Sequence, residues 1–381
     1  MLRNLRPALA ALVTLLFLLA ARAALAQPIT PPPIAAKAFI AVDVLSGHVL
    51  AAASENDRHE PASLTKMMTA YLAFTALREG KLDVGRPVTP SERAIRAPGA
   101  RMFLAPGKPV AVNDLLRGMI VQSANDAAIA LAEAVAGDEA AFVAAMNAQA
   151  RRMGLADTTF MNPTGQPVPG HHASARDLAT LAMHLLRDFP EHVGLYAERE
   201  FTYGGMTQGN RNRLLWIDPT VDGLKTGFTE SAGYCIAASA RRGERRIVAV
   251  VLGAQSDGLR VSETQKLLNF GFQAYDTRRL YRKGEAVARP VVYKGTQPTI
   301  ALGFDRDIWI TLPRDRFDGL TATLETRQPF VAPLAAGQKA GIMKLRRANA
   351  PIAEIPVVAL EEVPVAGFLS RGWDTLRLLF R

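Results

Sequence analysis

Two apolar runs, residues 233–240 and 246–253, flank a charged turn at residues 241–245. Apolar runs of this length bounded by a turn read as buried strands, and the short connection makes them an antiparallel hairpin. A third strand-like run, residues 221–229, precedes them. A second hairpin lies near the other end of this stretch. Residues 38–44 alternate as a strand, Ser46-Gly47 turns, and residues 48–53 return. Helical patterns fill the space between: residues 67–77, 115–121 behind Asn113-Asp114, 127–136, 138–153 and 175–188, with a last one at 263–275. Ser174 and Asp177 form a capping box for the fifth of these. Strands and helices thus sit in separate blocks whose ends meet in one antiparallel sheet. That is an α+β architecture, an antiparallel sheet flanked by helices. Residues 80–109 and 155–173 carry no helical period and read as irregular surface segments. Residues 200–203 read as a short strand.

From about Lys283 the pattern changes. Short alternating runs such as 308–312 and 320–324 take over, separated by Gly, Pro and Asp. Residues 284–363 are therefore expected to form a small all-β domain after a larger domain spanning 34–277.

The two ends are distinct. Arg3 and Arg6, the apolar run 8–21 and the Ala24-Leu25-Ala26 site make residues 1–26 a secretory signal peptide. Residues 27–33, with four prolines, read as an extended lead-in. On a helix starting near Gly367, Phe368, Leu369, Trp373, Leu376, Leu379 and Phe380 fall within roughly 140°, with Arg371, Asp374, Arg377 and Arg381 opposite. Residues 365–381 are too short and charged to span a bilayer but suit its interface, so a membrane surface is an expected partner. The segment 357–364 reads as the link to this helix. The expected location is periplasmic, on the outer face of the cytoplasmic membrane.

A net charge of +10 points to anionic surroundings. No RNP-type motif, zinc-finger spacing or basic–aromatic stripe is present, so nucleic acid is not an expected partner. Membrane headgroups or an acidic wall polymer fit the charge. The single cysteine, Cys235, excludes an intramolecular disulfide and lies in a strand with nothing to hold a thiolate. The six histidines lack metal-ligand spacing, and His171-His172 reads as solvated loop. Neither a metal nor a cofactor is expected.

Three short motifs carry the chemistry. Ser63-Leu64-Thr65-Lys66 follows Pro61 at a helix start, which places Ser63 and Lys66 on one face. A desolvated lysine can take the proton of a serine hydroxyl. Ser123-Ala124-Asn125 falls between two helices, and Lys225-Thr226-Gly227 on a strand. S-x-x-K, S-D-N and K-T-G in this order form the known motif set of class A β-lactamases and penicillin-binding proteins. The chain closely resembles the low-molecular-mass penicillin-binding proteins that are D-alanyl-D-alanine carboxypeptidases. The resemblance spans the signal peptide, catalytic domain, β-rich domain and terminal anchor. Its most specific stretches are residues 61–69 and 221–227.

The resemblance implies a serine-type carboxypeptidase acting on the pentapeptide stem of peptidoglycan and acylated by β-lactams. Ser63 would attack the penultimate D-alanine carbonyl with Lys66 as base. The N–H groups of Ser63 and Phe228 would form an oxyanion hole, and Ser123 would protonate the leaving amine. Asn125 would hold the substrate amide. Lys225, Gly227, Thr226, Thr229 and Arg211 complete the substrate site, the last two threonines and Arg211 gripping the terminal carboxylate. The chain departs from many relatives at Ala124, at Phe228 and at Thr164-Gly165-Gln166, where they carry Gly, His and His-Gly-Leu. Residues 155–173 contain no glutamate to activate a deacylating water, which separates this chain from class A β-lactamases. Endopeptidase action on wall cross-links is the alternative reading.

Overall fold

A computed structural model describes residues 29–379. The expected signal peptide, together with Phe380 and Arg381 of the expected anchor, lies outside the described residues. The chain divides into two units, residues 1–33 and 34–381, and every element named below belongs to the second.

The N-terminal hairpin is β1 (Ala38–Asp43) and β2 (Val49–Ala53). The later strands are β3 (Val221–Thr229), β4 (Gly233–Arg242) and β5 (Arg245–Ala254). They form one antiparallel sheet in the order β2-β1-β5-β4-β3. Val250 of β5 stands between Ile40 of β1 and Ala237 of β4. Both faces of this sheet are covered. Ile40, Ala237, Val248 and Val250 pack on one side against α1 (Lys66–Arg78), α2 (Val112–Val121), α3 (Asn125–Ala136), α4 (Glu139–Arg152) and α5 (Ala175–Asp188). Ala41, Ile236, Ala249 and Val251 pack on the other against α6 (Asp257–Ala274). Burial on two faces explains why β4 and β5 read as continuous apolar runs instead of alternating ones. Each buried Val or Ile contributes about 1.5–3 kcal/mol relative to exposure. α1 is buried nearly all round, by Met67, Met68, Ala70 and Phe74 among others, which makes it the central helix.

Two helix starts differ from the sequence reading by more than two residues. α2 starts at Val112, with Ala111 at its N-cap, so Asn113 and Asp114 lie inside the first turn. Asp114 there complements the positive helix end instead of capping it. α6 starts at Asp257 because Ser256 caps it, its hydroxyl accepting the Leu259 N–H at 3.1 Å. α5 has the expected bounds, and Ser174 accepts the Asp177 N–H at 3.1 Å. The return half of the box is diverted. Asp177 accepts instead from Asp157 N at 2.8 Å and Thr158 Oγ1 at 2.7 Å, tying the 155–173 loop to the helix.

After α6, β6 (Tyr275–Tyr281) pairs with β9 (Ile308–Pro313). A second five-stranded sheet contains β7 (Ala286–Ala288), β8 (Leu302–Gly303), β10 (Leu320–Thr326), β11 (Lys339–Arg347) and β12 (Ala350–Ala359), in the order β7-β8-β12-β11-β10. Ile300, Phe304, Ile310, Met343, Leu345 and Val357 form its core. The expected link at 357–364 is thereby corrected. Val357 and Ala359 are buried in β12, in the middle of the sheet, because their apolar run packs on β8 and β11. The chain closes with α7 (Phe368–Leu379).

Candidate active site

Ser63 lies in a single 3-10 turn, Ala62–Thr65, that runs straight into α1. Lys66 is the first residue of that helix and is 1% exposed. Its Nζ stands 3.0 Å from Ser63 Oγ, 2.6 Å from Asn125 Oδ1 and 2.6 Å from Thr164 O. The last two atoms can only accept. A neutral amine has two protons and one lone pair, so its protons go to Asn125 and Thr164 and the lone pair is left for the Ser63 hydroxyl. Burial pulls the Lys66 pKa down to about 7, against the opposing pull of Asp126. Asp126 is itself buried and accepts the backbone N–H groups of Met102 and Leu104.

Ser123 joins α2 to α3 with φ 63, a conformation uncommon for a residue with a β-carbon. Such strain persists where surrounding contacts impose it. Here Asn125 supplies them: its N–H donates to Ala100 O at 2.7 Å and its Nδ2 to Pro98 O at 2.6 Å. Lys225 is buried and donates to Thr226 O at 3.0 Å. Burial, then Lys66, Arg211 and Arg260, keep its pKa well below the usual lysine range. β3 is the edge strand of its sheet, so its alternate backbone groups are not used by β4. The edge runs against the Ser63 turn, and Gly227 is the contact point.

A cavity of about 560 Å³ is lined by Ser63, Ser123, Asn125, Arg211, Thr226, Gly227 and Phe228. Lys66 and Lys225 stand behind this lining. Arg211 is exposed, and among the described residues no carboxylate pairs with it. Thr229, expected beside Thr226, is not among the residues that line this cavity. It ends β3, and its hydroxyl accepts the Ala232 N–H at 3.0 Å and reaches Glu60 Oε2 at 3.4 Å, so it serves the turn into β4. Phe228 packs against Tyr234, its cross-strand partner, with ring centroids 4.3 Å apart and the planes tilted by 34°.

Several site residues carried no signal in the sequence. Arg260 of α6 lines the cavity, donates to Gly227 O at 3.2 Å and pairs with Asp257. A single arginine in a helical pattern is indistinguishable from a surface charge until the fold places it. Thr164 acts through a backbone carbonyl, which any residue type could supply. His171 is a correction: it is buried, not solvated, because its ring fills the space under Thr65, with Nε2 3.0 Å from Thr65 Oγ1. Among the described residues no cluster of His, Cys, Asp or Glu is placed to hold a metal ion.

The sequence and fold match known proteins. Residues 25–256 match the family described as D-alanyl-D-alanine carboxypeptidase, and residues 275–365 match the C-terminal domain of penicillin-binding protein 5. The D-alanyl-D-alanine carboxypeptidase DacC of Escherichia coli is 39% identical, over 98% of this chain and 95% of its own length. The crystal structure of penicillin-binding protein 5 from Haemophilus influenzae superposes with a TM-score of 0.85 at 37% identity, covering 88% of this chain and all (100%) of that one. Penicillin-binding protein D2 of Listeria monocytogenes, solved in an ampicillin-bound form, gives 0.59 at 31% identity over 65% of this chain and 100% of its own. A family match over more than half of the chain and 39% identity to a relative along nearly its whole length show that the chain belongs to the D-alanyl-D-alanine carboxypeptidase family.

Proposed function

We propose that Ser63 is the acylating nucleophile of this serine-type D-alanyl-D-alanine carboxypeptidase and that Lys66 is its base. The observation that carries the assignment is the Lys66 amine, whose two acceptors leave one lone pair, 3.0 Å from Ser63 Oγ. Lys66 takes the hydroxyl proton as Ser63 Oγ bonds to the penultimate D-alanine carbonyl carbon. The Ser63 and Phe228 N–H groups receive the oxyanion, each donor typically worth ~3 kcal/mol. Ser123 passes a proton to the departing D-alanine amine, and water then cleaves the acyl-enzyme. Asn125 has one Nδ2 proton left for the substrate amide once Pro98 has taken the other. Arg211, Thr226 and Lys225 define the cation-rich end that receives the terminal carboxylate. An incoming anion offsets the mutual repulsion of Arg211 and Lys225, which favours substrates with a free carboxyl end. That preference argues for stem pentapeptides over cross-linked dimers.

The likeness to a relative solved with ampicillin supports covalent inhibition by β-lactams at Ser63. The catalytic unit is taken as residues 34–277 and the β-rich unit as 284–363. The leader pattern in residues 1–26 supports a site of action outside the cytoplasmic membrane. α7 is proposed to bind the membrane surface. Phe368, Leu369, Trp373 and Leu376 face solvent, Phe368 81% and Trp373 61% exposed, while Asp374 on the opposite side accepts the Lys294 N–H at 2.6 Å. A helix docked on the core would show the reverse. Among the described residues no helix is long and apolar enough to cross a membrane.

The test is D-alanine release from a soluble pentapeptide, with Ser63→Ala as control. Release by the wild type that Ser63→Ala abolishes is the expected result; release that survives the substitution overturns the assignment. Trp373→Glu should weaken binding to anionic lipid vesicles and leave release from soluble peptide unchanged. Undiminished vesicle binding would remove α7 as the anchor.

A further inference from the structure

Behind Lys66 runs a chain of hydrogen bonds that the reaction scheme leaves without a task. Asn162 Oδ1 accepts from Thr164 N at 3.1 Å, Thr164 Oγ1 at 2.9 Å, Gly165 N at 2.7 Å and Gln166 N at 3.2 Å. Its Nδ2 donates to Gln166 O at 2.9 Å and lies 3.4 Å from His171 Nδ1. His171 Nε2 lies 3.0 Å from Thr65 Oγ1. Thr65 immediately precedes Lys66, and Thr164 O is one of the two acceptors of the Lys66 amine. The chain therefore leaves the base through its backbone neighbour and returns to it through a carbonyl.

Donor counting sets the state of each member. Both Nδ2 protons of Asn162 are directed, one at Gln166 O and one at His171 Nδ1. His171 Nδ1 must then accept, and Nε2–H donates to Thr65. A protonated ring would set two donors against each other. Burial acts the same way, pulling His171 down to about 4.

A further contact makes the loop position exacting. A β-carbon on Gly165, which has φ +83, would lie 1.8 Å from Ala62 O, so the loop backbone rests on the turn that carries Ser63. Thr69 Oγ1 of α1 adds a tie to Pro163 O at 2.7 Å. A carbonyl on a Pro- and Gly-containing loop has rotational freedom of its own. Four bonds into one amide oxygen, an Asx-type turn, remove it.

We infer that Asn162, backed by His171, is a positioning residue for catalysis: it holds the Thr164 carbonyl where that group takes one proton of the Lys66 amine and so aims the lone pair at Ser63. The inference rests on Lys66 being the base. The charged groups facing Lys66 are Asp126 from α3 and Lys225 from β3, and both are left untouched by the variants below.

The experiment measures acylation of the full chain by benzylpenicillin across roughly pH 5 to 9, with intact mass confirming the adduct. The proteins are wild type, Ser63→Ala, Asn162→Ala, Asn162→Ser and Thr65→Val. In Asn162→Ala the acylation rate should fall about ten- to a hundredfold, the cost of a misplaced reacting group. Its half-maximal pH should rise by about one unit, because water admitted at the loosened loop relieves the burial that lowers the lysine. Asn162→Ser puts a hydroxyl acceptor in place of the amide oxygen, can still close the turn, and should recover part of both. Thr65→Val, nearly isosteric, should move the profile the same way by less, and it carries the test if Asn162→Ala does not fold. A uniform slowing with the profile in its wild-type position, or no slowing, overturns the inference alone. A wild type without a Ser63-dependent adduct overturns the base assignment, and the inference with it.

Discussion

A β-carbon on Gly227 would lie 2.9 Å from the backbone nitrogen of Ser63 and 3.1 Å from Pro61 O. The edge of β3 and the Ser63 turn touch at Gly227, and no larger side chain fits there. Both N–H groups proposed for the oxyanion hole flank this contact. Gly227→Ala should push the two apart by a few tenths of an ångström or more. Acylation by a penicillin is expected to fall about a hundredfold, as for other small misplacements of reacting groups, with the melting temperature little changed. Acylation at the wild-type rate in a folded Gly227→Ala protein would show that the contact does not set the hole.

The pH dependence follows from Lys66. The amine is protonated below its pKa of about 7 and cannot then accept the Ser63 proton. Acylation should therefore rise about tenfold per unit as pH climbs toward that value, and level off above it. Stopped-flow acylation against pH checks this. A flat profile through the neutral range would mean that another group removes the proton.

Arg211 reaches the cavity with no carboxylate partner among the described residues. A charge-assisted bond to substrate is worth about 1.5–3 kcal/mol, so Arg211→Ala should lower kcat/KM on a free-carboxylate peptide by about ten- to a hundredfold. Arg211→Lys should recover only part, since an ammonium cannot present the paired donors of a guanidinium. An equal loss on a peptide whose end is amidated would place Arg211 elsewhere in the mechanism.

Asp43 is fully buried at the end of β1. One oxygen accepts Arg245 Nε at 2.7 Å and Thr277 Oγ1 at 2.7 Å; the other accepts the N–H groups of Leu45 and Ser46, each at 3.1 Å. Thr277 of β6 in turn meets Thr311 of β9, so one carboxylate ties the main sheet to the strand pair that begins the β-rich region. Asp43→Ala strands a buried guanidinium and should cost about 3–5 kcal/mol of stability, read by urea unfolding. Asp43→Asn keeps most of the acceptors and should cost less. A cost below about 1 kcal/mol for Asp43→Ala, the range of surface pairs, would mean that water replaces the carboxylate there.

The elements most legible from the residues were those whose own pattern suffices. The hairpin β4–β5, the helix after Pro61 and the start of α5 behind Ser174 depend on apolar runs, turns and caps a few residues apart. Ser63 and Lys66 could be read as a pair because one helical turn separates them, whereas Ser123 and Lys225 could be read only as members of the motif set. Boundaries differ where a cap outweighs periodicity, as at Ser256, and where an apolar run that reads as a link is a buried strand, as at Val357.

Local spacing could name Ser63 and Lys66, since both sit on one continuous turn of backbone. It could not say that Lys66 would be dry, that Thr164 would lend it a carbonyl, or that Arg260 would reach the cavity from α6 while Thr229 turned away. Those outcomes depend on which distant segments pack together. The reactivity of a lysine is set by the water and charge around it, and these are properties of the assembled core, not of the four residues that spell the motif.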